Sequence, residues 1–229
     1  MLFQTDFVYA NRKEKSRYLF LKYQSRLEKS SILDVGAGQS YLRDLLDQEC
    51  TYLSVGKSDP SLDMDVDLEK ENLPFENNSF DCVVCLDVLE HLENIHMVFD
   101  ELCRVCRRTV IISLPNAYPV FWDMLRAGEF ALGTPMKYYN LPVEPPRDRH
   151  KWFFSISEAK NFVQYRAEKC GMKVLQMDTE SYLSEGYGMK RLLRGWARRI
   201  LIPKGIDRDD LFGRTLWAVL QKRGATERE

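Results

Sequence analysis

Ser31-Ile32-Leu33-Asp34-Val35-Gly36-Ala37-Gly38-Gln39-Ser40 is the stretch whose reading decides the fold. Ile32, Leu33 and Val35 suit a buried central strand. Gly36 and Gly38 then permit positive φ and a close backbone approach to a ligand. Tyr41-Leu42-Arg43-Asp44-Leu45-Leu46 resumes with helical spacing, which predicts a helix over residues 41–48. Strand, glycine turn and helix are the opening of a nucleotide-binding βαβ unit. The dinucleotide version of that turn also wants a third small residue, where this chain has Tyr41, and an acid about 20 positions on.

On the N-terminal side, residues 9–27 read as a helix, with Tyr18, Leu19, Leu21 and Lys22 covering the approach to the strand. On the other side, Thr51 to Val55 is a second strand ended by Gly56, and Met64 with Val66 suggests a short third one. Asn77-Asn78-Ser79 is turn chemistry, and Phe80 to Leu86 is nearly all apolar, as buried parallel strands are. Residues 87–107 are helical in pattern, and Thr109 to Leu114 is a fifth strand stopped by Pro115. Strands alternating with helices imply an α/β fold, a doubly wound and mostly parallel sheet with ligands at the carboxyl ends of its strands.

The second half changes character. Six of the nine prolines fall between Pro115 and Pro146, among Phe121, Trp122, Phe130, Tyr138 and Tyr139, so residues 116–156 read as a lid-like insertion after the fifth strand, carrying a short helix near Phe121. Residues 157–170 form a helix with Ser157 and Glu158 at its start and Gly171 at its end. Lys173 to Asp178 and Arg214 to Gln221 supply a last pair of strands, seven in all. The whole reads as one domain, with residues 1–29 as a helical cover and 186–206 as a basic helical insertion.

Composition excludes several classes of function. The chain has 229 residues, 45% hydrophobic and 29% charged, with a net charge of −1, which argues against nucleic acid as a partner. No secretory leader is read in the first residues, and no apolar run approaches the roughly 20 residues of a membrane span, so a cytoplasmic location is expected. The pairs Cys82/Cys85 and Cys103/Cys106 have zinc-like spacing. However, residues three apart on a strand point to opposite faces, so the first pair cannot share an ion, and no metal is expected.

The order of motifs resembles the class I S-adenosylmethionine-dependent methyltransferases of the small-molecule, type 11-like group. It rests on Leu33-Asp34-Val35-Gly36-Ala37-Gly38, then Asp67-Leu68-Glu69 running on to Leu73-Pro74-Phe75, then Ser79-Phe80-Asp81, then Asp87-Val88-Leu89-Glu90-His91-Leu92. The resemblance implies S-adenosylmethionine as cofactor, with Asp34, Gly36, Ala37 and Gly38 at its methionine end. Asp67 would accept the adenine amino group beside the Leu68 backbone. Leu86 and Asp87 would lie near the cofactor's amino group and sulfonium, with His91 packed close by. Where the family usually ends its second strand with a ribose-binding acid, this chain has Gly56, a gap that weakens cofactor binding unless Asp59 or another acid substitutes.

Methyl transfer implies a small-molecule or carrier-linked acceptor, with oxygen favoured, and for a hydroxyl a base. His150, at the end of the insertion, is the expected base, with a solvated loop residue as the alternative; Arg147 and Arg149 suit an anionic acceptor or pairing with Asp148 and Glu144. Met189, Leu192, Leu193, Trp196 and Ile200 share one helical face, while Lys190, Arg191, Arg194, Arg198, Arg199 and Lys204 add charge. Residues 189–204 therefore suit peripheral contact with an anionic membrane, or packing on the domain. The Gly56 gap keeps a regulatory protein of the same fold as the alternative, and Tyr41 and Gly56 argue against an NAD-dependent dehydrogenase. The acceptor and the oligomeric state stay open.

Overall fold

The computed structural model describes residues 9–121, 144, 149–181 and 207–224. Seven strands form one sheet: β1 Ser31–Val35, β2 Thr51–Gly56, β3 Met64–Asp65, β4 Phe80–Leu86, β5 Cys106–Pro115, β6 Met172–Ser181 and β7 Gly213–Lys222. Their order is β3-β2-β1-β4-β5-β7-β6. Strands β1 to β5 pair in parallel, and β7 runs antiparallel between β5 and β6. The doubly wound expectation holds, with the one antiparallel strand inserted next to the edge strand β6.

Period-two alternation sorts the side chains onto two cores. Leu33, Val35, Val83, Cys85, Val110 and Ile112 face α2 (Ile95–Val105) and α3 (Ile156–Lys169), whereas Ile32, Cys82, Val84, Ile111, Trp217 and Val219 face α1 (Arg12–Leu27). Both halves of the Cys82/Cys85 pair are buried, one on each face, as strand geometry requires. Fully buried aliphatic side chains each contribute about 1.5–3 kcal/mol, so the two layers hold the strands in one register.

Three local expectations are corrected. Residues 41–48 do not form a helix; only Arg43–Leu45 makes a 3-10 turn, because the connection from β1 is drawn inward by Leu42, which is buried, and held by Arg43, whose guanidinium bonds Ser54 Oγ and pairs with Asp63. The helical stretch after β4 is split into a 3-10 turn, Leu89–His91, and α2, with β5 starting already at Cys106. The cap of α3 is Ser155 rather than Ser157: Ser155 Oγ accepts from the Glu158 amide while the Glu158 carboxylate accepts from the Ser155 amide. Two orphan amides at the helix start are thus satisfied.

A short helix, α4 (Arg208–Phe212), precedes β7. Most of the expected lid, residues 122–143 and 145–148, and all of the basic insertion, residues 186–206, lie outside the described residues; of the short helix expected around Phe121 to Arg126 only Phe121 is described, and residues 117–121 are helical. Among the described residues no helix is long and apolar enough to cross a membrane.

Candidate active site

Strand register sets the site. Val35 pairs with Val55 on one side and Cys85 on the other, so β1, β2 and β4 end side by side. The Gly36 amide donates to Val55 O at 2.7 Å and the Val66 amide to Gly56 O at 2.7 Å, which carries the β3 end to the same rim. The strand order reverses between β1 and β4, the chain running out to β2 and β3 on one side and to β5 on the other. Such a switch point is where open α/β sheets place their ligands.

The glycine turn is real, but its close contacts are made by the chain's own side chains. Gly36 has φ +73°, and a Cβ there would come within 2.3 Å of Val88 Cγ2. Gly38 has φ +56°, and its Cβ would meet the Arg12 guanidinium at 3.0 Å. The backbone favours glycine at both positions, and at Gly36 the packing against Val88 demands it as well. Ser40, which accommodates φ +51° at the end of the turn, is buried beneath the Ser61 loop.

Against this rim lies a cavity of about 390 Å³, of a size suited to a small ligand. Gly36, Gly56 and Val88 meet Asp67, Leu68 and Glu69 across it, and His91, Leu92, Lys57, Arg149 and Lys151 complete the wall. The Asp67 carboxylate accepts from Lys57 Nζ at 2.7 Å, with Lys70 Nζ at 3.4 Å; the Lys57 hydrogen bond leads in holding that carboxyl below its usual range. Lys151 pairs with Glu69. No acid stands at Gly56, and Asp59 does not line this cavity. It lines a separate cavity with Arg12, Gln39 and Tyr41, and its carboxylate accepts from the Ser61 amide and hydroxyl.

Asp87 follows the end of β4 at φ +52°. Its carboxylate accepts from Lys15 Nζ at 2.5 Å and from Ser113 Oγ at 2.8 Å. Burial alone would raise this carboxyl, but the Lys15 ammonium and the two hydrogen bonds hold it below the usual carboxylate range. Lys15 is buried on α1, 5.3 Å from the centre of the Tyr9 ring and 5.1 Å from that of Trp217. A cation does belong beside Asp87, and the protein supplies one itself. Asp34 is buried in β1, accepts from the Tyr52 hydroxyl at 2.7 Å, and is pushed by burial up to about 6.

His150 and His91 meet edge to face, with ring centres 4.4 Å apart at 73°. The contact is set by backbone bonds: the Lys151 amide donates to Glu90 O at 2.8 Å and Trp152 Nε1 to Leu92 O at 2.7 Å, laying the segment after the insertion along the Leu89–His91 turn. His96, by contrast, is exposed on α2, its ring packed between Trp152 and Phe162.

Of the residues expected from sequence, Gly36, Gly56, Asp67, Leu68 and His91 line the cavity together. Asp34, Ala37, Gly38, Leu86, Asp87 and His150 do not line it; they surround the same strand ends, Leu86 packing in the α1-facing core. Sequence reading missed Lys57, Lys151 and the buried Glu90. Lys57 had a signal, a cation next to the position that should be acidic; Lys15 had none, since nothing local links it to Asp87.

Residues 33–114 match the model of a methyltransferase domain. No curated protein matches the chain in sequence. An S-adenosylmethionine-dependent methyltransferase from Mesorhizobium loti superposes with a TM-score of 0.53 at 13% identity, over 93% of this chain and 100% of the other. Magnesium protoporphyrin IX methyltransferase from Synechocystis, with bound SAH, gives 0.53 at 13% identity, over 92% and 83%. A cyclase gives 0.54 at 14% identity, over 90% and 81%. These likenesses show a shared fold, and a fold hosts more than one chemistry. Residues 33–114 are thus similar to a methyltransferase domain, and the sheet order with its glycine turn at the end of β1 is the fold that the chain shares with these methyltransferase structures.

Proposed function

We propose that the protein transfers the methyl group of S-adenosylmethionine to a small or carrier-linked acceptor, with oxygen the favoured atom. The observation that carries this reading is the cavity at the strand ends, where Gly36, Gly56, Asp67, Leu68 and His91, far apart in sequence, come together. The cofactor, when bound, supplies an electrophilic methyl carbon on sulfur. Asp67 and Leu68 would hold its adenine, Gly36 and Gly38 would let the backbone approach it, and Asp34 and Asp87 offer carboxylates for its ammonium. Methyl transfer asks the protein chiefly for in-line placement and exclusion of water. His150, packed on the cavity-lining His91, is the base this reading assigns to a hydroxyl acceptor. A cytoplasmic setting and contact of residues 189–204 with anionic lipid belong to the same reading; co-sedimentation with anionic vesicles tests the latter.

A second reading, a binding or regulatory protein with weakened catalysis, is favoured by two contacts. Lys57 occupies the Asp67 carboxylate, and Lys15 occupies that of Asp87. Calorimetric titration with S-adenosylmethionine, S-adenosylhomocysteine and NAD separates the readings. Binding of the first two supports the enzyme. Binding of none supports the regulatory protein, and binding of NAD alone overturns both.

A further inference from the structure

Glu90, His91 and His150 converge beside the cavity, although the methyl-transfer reading uses only one of them as a reactant. One ligand atom from each lies within 4.8 Å of the other two. The Glu90 side chain is fully buried, and its carboxylate Oε1 lies 3.7 Å from His91 Nε2. We propose that these three residues hold a divalent transition-metal ion at the rim of the cavity.

The geometry suits one ion. Metal–nitrogen and metal–oxygen bonds of about 2.0–2.2 Å place ligands about 3–4 Å from each other, so closing on an ion takes side-chain adjustments of about 1 Å. The scaffold is already fixed: the His91 amide donates to Val88 O at 3.0 Å, the Leu92 amide to Leu89 O at 3.2 Å, and the Lys151 amide to Glu90 O at 2.8 Å. Two ligand-bearing segments are therefore locked together by main-chain bonds before any ion arrives. Lys151, next in sequence to His150, is turned to Glu69, with Glu93 at 3.8 Å, and so is neutralised. Arg149 lines the same cavity, and an anionic acceptor would bridge it and the ion.

The donor set indicates the class of ion. Two imidazoles and one carboxylate suit zinc, manganese, iron, cobalt or nickel better than calcium or magnesium, which favour all-oxygen shells. Three protein ligands leave coordination positions open, as catalytic rather than structural sites do. The cysteine pairs take no part, since they lie within the cores. One consequence rests on the methyl-transfer reading. An acceptor hydroxyl on the ion would release its proton to water; its oxygen would then bond the methyl carbon as the carbon–sulfur bond breaks, its electron pair staying on sulfur. His150 would then be a ligand rather than a base.

Metal binding is measured without cofactor, so it is independent of methyl transfer. The full chain, stripped with chelator, is titrated with Co²⁺ followed by visible absorption, and with Mn²⁺ and Zn²⁺ by calorimetry. One ion per chain is expected. His150→Ala and Glu90→Gln should each weaken Co²⁺ binding by about 10–100-fold or more, while His96→Ala leaves it unchanged. Circular dichroism shows which variants remain folded; should Glu90→Gln unfold, His150→Ala carries the test. The site is overturned if the native chain gives no saturable binding, or if folded His150→Ala binds as tightly as the native chain. Loss of turnover in His150→Ala with Co²⁺ binding intact assigns the base role instead. Metal binding without any S-adenosylmethionine binding would sink the methyl-transfer reading and leave the ion site standing.

Discussion

The Lys15 ammonium lies 2.5 Å from Asp87 Oδ2, across 72 positions of sequence. It joins the first helix to the end of β4, under the Tyr9 and Trp217 rings. Removing either charge leaves the other poorly compensated in a partly buried place, a larger loss than for a surface pair. Asp87 keeps some contact with water, its side chain being 37% exposed, so the loss is moderated. Lys15→Met should lower stability by about 1–3 kcal/mol. A double-mutant cycle with Asp87→Asn, read by urea unfolding, should show clear coupling, and additive losses would remove the pair from the list of stabilising contacts.

Asp34 gives the pH dependence. Burial raises its carboxyl from 3.8 to about 6, although the Tyr52 hydrogen bond pulls the other way. The folded state therefore binds this proton more tightly than the unfolded chain does. Ionised Asp34 opposes folding increasingly from pH 4 to about 6 and by a constant amount above that. Asp34→Asn should be more stable than the native chain by up to about 3 kcal/mol at pH 8, with the advantage shrinking towards pH 4. Urea midpoints at pH 5 and pH 8 measure it; an advantage that grows on acidification contradicts the assignment. A cofactor ammonium near Asp34 favours the ionised form, so affinity should fall as pH drops through about 6.

Gly36 is predicted to be the least replaceable residue of the turn. An added Cβ meets both a left-handed backbone and Val88 Cγ2 at 2.3 Å. Gly36→Ala should cost about 2–4 kcal/mol, as backbone strain and overpacking combine. Gly36→Ala with Val88→Ala relieves the clash but not the backbone, so thermal denaturation should show that alanine at position 36 costs less when Val88 is already truncated.

Gly56 has an ordinary backbone, and a side chain there meets Leu62 Cδ1 at 3.2 Å and the Gly36 Cα at 3.5 Å. An acid can be restored if Leu62 is trimmed. Gly56→Asp with Leu62→Ala should tighten S-adenosylmethionine binding about 10–100-fold, the worth of one charge-assisted hydrogen bond to a ribose hydroxyl. Unchanged affinity, measured by calorimetry, would place the ribose elsewhere.

Much of this was legible in the sequence because it is local. Apolar runs gave β1 and β4, glycines gave the turn, and alternation put Cys82 and Cys85 on opposite faces. The helix over residues 41–48 was misread because its spacing is helical while its tertiary partners, Ser54 and Asp63 for Arg43, favour a tighter path. Ser157 was read as the cap although Ser155 stands three residues before the same Glu158, the actual box spacing.

By itself, the sequence determined a parallel α/β sheet and a glycine turn at the end of its first strand, since each depends on neighbours within a few positions. Only the tertiary structure decided that Lys15 stands beside Asp87, that Lys57 turns to Asp67, and that His150 returns to His91 beside Glu90. Charge and imidazole contacts of that kind act through space. They form only once the sheet and the segments crossing its ends have fixed which distant side chains share a few ångströms.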